Sequence, residues 1–206
     1  MEMIKITEKN FVGKELHKKT FEHPENPDAC IKLPYSKEGE VDLMRELKYR
    51  ELRMRKGMQS SLLPAYYGSV KTSLGQGFLF EYVRNYNGSA CATLEDYCKN
   101  ESLLKKKYKR IFELLCDFRK KLFSEQLITM GIFAENLIIQ KESEKKVRIR
   151  LINDIGTGVF IPLEYHIEIF RHRRIKKRWN EFLTNLWSMY PSDVMKCLIR
   201  DLKENP

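Results

Sequence analysis

A chain of 206 residues, 42% hydrophobic and 32% charged, is long enough to bury a sizeable core and has no low-complexity or Gly/Ser-rich stretch of the kind that stays disordered. Lys and Arg exceed Asp and Glu by 38 to 28, a formal charge of +10 that favours phosphorylated ligands, nucleic acid or anionic lipid as partners. No apolar run approaches the roughly 18 residues that a membrane-spanning helix needs, and the start MEMIKITEKN lacks the apolar core of a signal peptide, so a cytoplasmic location is expected.

From Ile4 to Leu33, short apolar pieces (VGKEL, then CIKL) are separated by turn formers, which predicts a meander of short strands with a turn over 23–28 before the strand that carries Lys32. VDLMRELKYRELRMRKG follows, rich in helix formers and stopped by Gly57, and predicts a helix. AYYGSVKTS and GQGFLFEYV read as two strands joined through Leu74-Gly75-Gln76-Gly77. A short helix begins at Thr93, with Asp96 completing a capping box. Leu104, Tyr108, Ile111, Leu115, Phe118 and Leu122 recur at spacings of four and three, the buried stripe of a long amphipathic helix. NLIIQ and VRIRLIND flank the polar run 141–146 and predict a hairpin; the tail from Leu163 to Asn205 is helical, interrupted at Pro191. The five cysteines (Cys30, Cys91, Cys98, Cys116, Cys197) lack C-x-x-C spacing and read as reduced core residues. His17, His23, His166 and His172 show no metal-ligand spacing, and no Ser-His-Asp or paired-carboxylate constellation marks a hydrolase.

Several stretches carry chemistry when taken together. Ala29-Cys30-Ile31-Lys32 resembles the V-A-I-K strand of protein kinases, whose lysine contacts nucleotide phosphates. Glu46 on the next helix would be the carboxylate that pairs with it, with Glu40 and Glu51 as rivals. Phe80-Glu81-Tyr82-Val83 resembles the kinase connector, where backbone groups hold the adenine edge; Glu135-Asn136-Leu137-Ile138 resembles the end of the H-R-D-L-x-x-x-N loop, and Asp154-Ile155-Gly156 resembles D-F-G. Alone, Lys32 reads as the outward member of an alternating strand and Asp154 as a turn residue; their order, with FEYV between, favours a site.

The resemblance implies an α+β, reduced protein-kinase-like fold in a single domain, residues 1–206. Its N-terminal antiparallel β-sheet lobe with one helix would be 1–84 and its mainly helical C-terminal lobe 85–206, with the junction near Asn85 to Ser89. It also implies ATP and Mg²⁺ as cofactors, with Lys32, Glu46, Asn136 and Asp154 in catalytic positions. Gly13, Lys32, Phe80, Glu81, Tyr82 and Val83 would surround the nucleotide, and Asn136 and Asp154 would offer the metal hard oxygen ligands. The pattern is most similar to the bacterial YrbL family, named for the PhoP regulatory network, over about Ile4 to Phe182. The shared stretches are CIKL, RELKY, the loop from ITM to Asn136, and NDIGTGVFIPL.

The chain departs from a working kinase at several points. Counting back five from Asn136 puts Gly131 where the catalytic aspartate belongs; Phe133 replaces the lysine that neutralises the transferred phosphate, and Thr129 and Met130 replace the His-Arg pair. VGKELHKKTF holds one glycine, Gly13, where a G-x-G-x-x-G loop has three, and its Lys18 and Lys19 read as solvated turn lysines that could otherwise contact phosphate. No A-P-E motif follows Gly156. Three readings remain: an ATP/Mg²⁺-binding protein with atypical phosphoryl transfer to an unknown acceptor, a pseudokinase that acts as a regulatory binding module, and nucleic-acid or anionic-surface binding. The last would use Arg171, Arg173, Arg174, Lys176, Lys177 and Arg178, a run that also reads as a solvated face backed by Phe170, Ile175, Trp179 and Phe182.

Overall fold

Short β-rich runs broken by turns pair into an antiparallel sheet in the computed structural model, which describes residues 3–158 and 163–205. Its strands are β1 (Phe11–Lys14), β2 (Lys18–His23), β3 (Asn26–Pro34), β4 (Tyr66–Thr72) and β5 (Gly75–Glu81), ordered β1-β2-β3-β5-β4. Two turns are tighter than the sequence suggests. Asn26, Pro27 and Asp28 already belong to β3, and Gly75, Gln76 and Gly77 to β5, because an antiparallel pair needs only about two residues to reverse.

Between β3 and β4 lies helix α1 (Lys37–Arg55), which begins four residues before the VDLM run because Ser36 caps it: its Oγ accepts the Gly39 N–H at 3.2 Å. Gly39 is needed there, since a Cβ would run into the His17 carbonyl of the β1–β2 turn. Gly57, at φ +66°, terminates the helix.

The remaining elements are β6 (Ala92–Thr93), α2 (Leu94–Cys98), α3 (Glu101–Ser124), β7 (Leu137–Lys141), β8 (Val147–Leu151), α4 (Glu168–Met189) and α5 (Asp193–Glu204), with β6-β7-β8 forming a second, three-stranded sheet. Thr93 caps α2 through the expected box with Asp96. Helix α3 buries Leu104, Ile111, Leu115, Phe118 and Leu122 as its periodicity requires, and each such side chain contributes about 1.5–3 kcal/mol by leaving water. That stripe packs with the β7–β8 hairpin and with Trp179, Phe182, Leu198 and Leu202 into the main core. Two smaller clusters flank the five-stranded sheet, Ile6-Phe21-Ile31-Leu33 on one face and Cys30-Leu43-Phe78-Phe80 on the other. The architecture is α+β, with the large sheet and one helix first and mainly helices after. Cys30 and Cys98 are buried as expected, but Cys197 is exposed, standing on the outer face of α5.

Buried arginines tie the first part to the second. Arg53 of α1 donates to the carbonyls of Gln59, Glu125 and Gln126, and Arg150 of β8 donates to both carboxylate oxygens of Glu81 on β5 at 3.1 and 2.6 Å. Among the described residues no helix is long and apolar enough to cross a membrane.

Candidate functional site

Strand alternation on β3 turns Ile31 and Leu33 to one sheet face and Cys30 and Lys32 to the other, toward α1. Lys32 is therefore an inward member of its strand, 6% exposed, with its Nζ donating to the Ile152 carbonyl and to Asn153 Oδ1, both at 2.7 Å. The β7–β8 hairpin explains why those acceptors are present. Its register pairs Leu137 with Leu151, so Asn136 just before β7 and Asn153-Asp154 just after β8 emerge at the same end. Asn153 Nδ2 donates to Asn136 Oδ1 at 3.1 Å, and Asn136 Nδ2 donates to Asp154 Oδ2 at 2.7 Å. A continuous polar chain thus runs from Lys32 through both asparagines to Asp154. Asp154 takes a left-handed φ of 62°, a conformation aspartate tolerates better than most residues, and its carbonyl accepts the Met130 N–H at 2.7 Å.

The carboxylates on α1 behave differently from expectation. Glu40 and Glu51 are exposed, while Glu46 is 2% exposed and faces the site. Its oxygen is nevertheless held by Arg50, at 2.7 and 2.8 Å, rather than by Lys32. Arg50 lies one helical turn along from Glu46, and its second anchor on the Pro64 carbonyl fixes it there. Glu46 still acts through space: burial pushes the Lys32 ammonium's pKa down, Glu46 opposes that shift, and Lys18 adds to it. Burial likewise raises the Asp154 carboxyl, with Lys18 the chief opposing influence.

A cleft of about 400 Å³ gathers many of these groups. Gly13, Lys14 and Glu15 at the end of β1 form its roof, Cys30, Lys32 and Phe80 its back, Glu81, Tyr82 and Val83 one side, and Asn136, Ile138, Ile152 and Asn153 its floor. Asp154 and Glu46 stand behind this wall and do not line it. Phe80 is 1% exposed, with the Lys32 and Arg50 cations at 5.1 and 5.4 Å from its ring centre. The Glu81 carboxylate is occupied by Arg150 and the Ala65 N–H; burial alone would raise its pKa, but these partners hold it below the ordinary value. Among the described residues the buried Val83 N–H has no hydrogen-bond partner, so it remains available to a ligand. A Cβ at Gly13 would meet nothing, so packing does not demand glycine there and the space beneath it is open.

At Gly131 a Cβ would run into the ring of Phe133, a half-buried side chain that would have to turn aside to admit an acid. On the basic helix the exposed cations are fewer than the sequence suggests. Arg171 is buried and donates to the Glu164 and Tyr165 carbonyls and to Gln126 Oε1; it is not available to a partner. Arg178 pairs with Glu181 at 2.5 Å and Arg174 is half-buried, which leaves Arg173, Lys176 and Lys177 exposed. Phe170, expected in the packing face with Ile175, Trp179 and Phe182, is 39% exposed.

Sequence reasoning missed Asn153 and Arg150, and read Lys18 as a solvated turn lysine although it is buried. Asn153 had a signal in its adjacency to Asp154 across the hairpin mouth. Lys18 had one in strand periodicity, since it shares a face with Thr20, the Cα partner of Lys32. Among the described residues no cluster of three or more His, Cys, Asp or Glu could hold a metal by itself.

Residues 4–187 match the family described as PhoP regulatory network protein YrbL. The uncharacterized protein YrbL of Escherichia coli (strain K12) is 26% identical over 183 residues, covering 88% of this chain and 87% of that protein, and the Shigella flexneri protein of the same name matches to the same extent. Part of the NDIGTGVFIPL stretch, residues 159–162, lies outside the described residues.

Proposed function

The chain belongs to the YrbL family, and from that premise we propose that it is a nucleotide-binding protein of reduced protein-kinase-like build, taking ATP with Mg²⁺ in the cleft under the β1–β2 turn. One observation carries the reading: Gly13, Lys32, Phe80 to Val83 and Asn136, from four separate stretches of the chain, line a single cleft of about 400 Å³. That volume falls in the range of small-molecule sites. In this reading the adenine edge meets the Val83 N–H, and Lys32, fixed by Asn153, meets the phosphates. Asn136 and Asp154 are the residues that would hold the metal: Asp154 Oδ1 accepts no hydrogen bond among the described residues, while Asn136 turns its Nδ2 to Asp154 and its Oδ1 to Asn153, so its amide would have to rotate for both to present oxygen. Bound Mg²⁺ would neutralise charge on the phosphates.

Binding is better supported than turnover. A carboxylate that orients and deprotonates an acceptor is typically worth 10² to 10⁴ in rate, and at Gly131 the Phe133 ring fills its place. That packing favours the pseudokinase form of the reading, a regulatory binding module whose output is occupancy of the cleft, over phosphoryl transfer. The family's description as a regulatory network protein accords with such a role.

A thermal-shift titration with ATP, with and without Mg²⁺, tests the reading on wild type and on Lys32→Ala and Asp154→Ala. Ligand at about 100 times its Kd stabilises the fold by about 2.7 kcal/mol. A Mg²⁺-dependent shift that both variants lose is the expected result; no shift at millimolar ATP would refute it.

A further inference from the structure

Lys18 is not the solvated turn lysine that its sequence setting suggests: its side chain is 10% exposed. Strand β2 opens at Lys18, and two-residue periodicity puts it on the same sheet face as Thr20, opposite Lys32 on β3. Two ammonium groups therefore share one buried face. The hydrogen-bond acceptors of Lys32, the Ile152 carbonyl and the Asn153 side chain, are both neutral, and Glu46 is committed to Arg50. Among the described residues the one carboxylate in ion-pair contact with either lysine is Glu15, whose Oε2 lies 3.3 Å from Lys18 Nζ and whose side chain is 32% exposed in the cleft roof. Two buried cations therefore share one ion-paired carboxylate, which, unlike Glu46, is only half-buried and has no second partner holding it among the described residues.

The turn itself is fixed. Glu15 N–H donates to the Lys18 carbonyl at 2.8 Å, Tyr35 N–H donates to the His17 carbonyl at 3.1 Å, and the Tyr35 hydroxyl donates to the Glu15 carbonyl at 2.8 Å. Gly39 lets the start of α1 press against the His17 backbone from below. With the backbone pinned, the Glu15 side chain is the part free to move.

We propose that Lys18 is a second phosphate-binding residue, that a ligand bearing two or more linked phosphates spans Lys18 and Lys32, and that it binds by displacing the Glu15 carboxylate, which stands in for the anion until then. The electrostatics agree: Lys18 and Glu15 act with opposite sign on both Lys32 and Asp154, and Glu15, which lines the cleft where Lys18 does not, is the group an incoming ligand meets first. The inference deepens the nucleotide reading and rests on it for the placement of the base, but the phosphate corner can be tested separately.

Calorimetric titration of adenosine, ATP and inorganic tripolyphosphate into wild type, Lys18→Gln and Glu15→Gln makes that test. A charge-assisted contact is worth about tenfold or more in affinity. Lys18→Gln should weaken ATP and tripolyphosphate by that factor, Glu15→Gln should tighten both severalfold, and adenosine should bind all three proteins alike. Because Glu15→Gln is a near-isosteric change at a half-buried group and acts in the opposite direction, it decides the matter even if Lys18→Gln fails to fold. ATP binding that neither variant alters overturns the inference and leaves the nucleotide reading standing. Tripolyphosphate binding that depends on Lys18, with no adenosine binding, supports the inference and removes the adenine site. Failure of wild type to bind either ATP or tripolyphosphate at millimolar concentration overturns both.

Discussion

Two clusters at the open end of the β7–β8 hairpin differ in kind. On the side of Lys32, Asn153, Asn136 and Asp154, every link is a short hydrogen bond between buried or half-buried polar groups, and each residue's position depends on the next. On the side of residues 129–133, Thr129 is buried, Gly131 carries no side chain, and Phe133 lies over it. Buried polar networks are costly unless satisfied, and the first side is a satisfied one, whereas the second offers no carboxylate beside the half-buried Phe133 ring. Under the proposed reading the contrast separates holding a nucleotide from using it.

The largest effect is expected at the brace that keeps the cleft's side and floor in register. Arg150→Met leaves the Glu81 carboxylate without its bidentate partner and the Leu63 carbonyl without its donor, at a cost of about 3 kcal/mol in a denaturant titration. ATP affinity should fall with it if Glu81 to Val83 form a wall of the site; unchanged affinity would detach that wall from the ligand.

Next, Gly131→Asp should destabilise the protein by about 1 kcal/mol, because the half-buried Phe133 ring must turn aside. It should not create activity by itself. Gly131→Asp with Phe133→Ala should recover much of the stability, and any ATP-dependent transfer should appear only there. Transfer by the wild type at the rate of the double variant would erase the contrast between the two sides.

A smaller effect concerns pH. Burial raises the Asp154 pKa above its ordinary 3.8, so the folded state favours the protonated form. The stabilising contribution is complete below that ordinary value and is lost as pH rises through the raised folded pKa, at about 1.4 kcal/mol per unit of separation. Without ligand, the stability of wild type relative to Asp154→Asn should therefore fall as pH rises through that window. Mg²⁺-dependent ATP binding should run the other way, weakening as pH falls through it, because the metal requires the carboxylate. A pH-independent difference between the proteins would remove Asp154 from the account. The smallest effect is expected at Lys176→Ala on the basic helix, within about 0.5 kcal/mol for stability and without influence on ATP binding.

Much of this was legible in the sequence, for identifiable reasons. The α3 stripe, the α2 capping box and the β7–β8 hairpin followed from periodicity and turn chemistry, which are local. The partner of Glu46 was not legible, because Arg50 at i+4 and Lys32 on another strand compete for one carboxylate and only the packed geometry, with Pro64 as second anchor, decides between them. Arg171 read as a surface cation from the run that follows it, yet it lies one turn before Ile175 and so on the buried stripe, where carbonyls satisfy it. Lys18 read as a solvated turn lysine because nothing local marks it as the first residue of β2, where strand periodicity turns it to the face of Lys32. The convergence of Gly13, Lys32, Phe80 to Val83 and Asn136 on one cleft was legible only through their order along the chain.

Amide exchange at Val83, with and without saturating Mg²⁺-ATP, tests the central claim most directly, since the N–H of this buried residue has no hydrogen-bond partner among the described residues. The account predicts marked slowing of exchange at Val83 on adding the nucleotide, with lesser protection through the segment from Glu81 to Arg84 and none at Arg173 to Lys177. Exchange at Val83 that is indifferent to ATP, or protection confined to the basic helix, would contradict it.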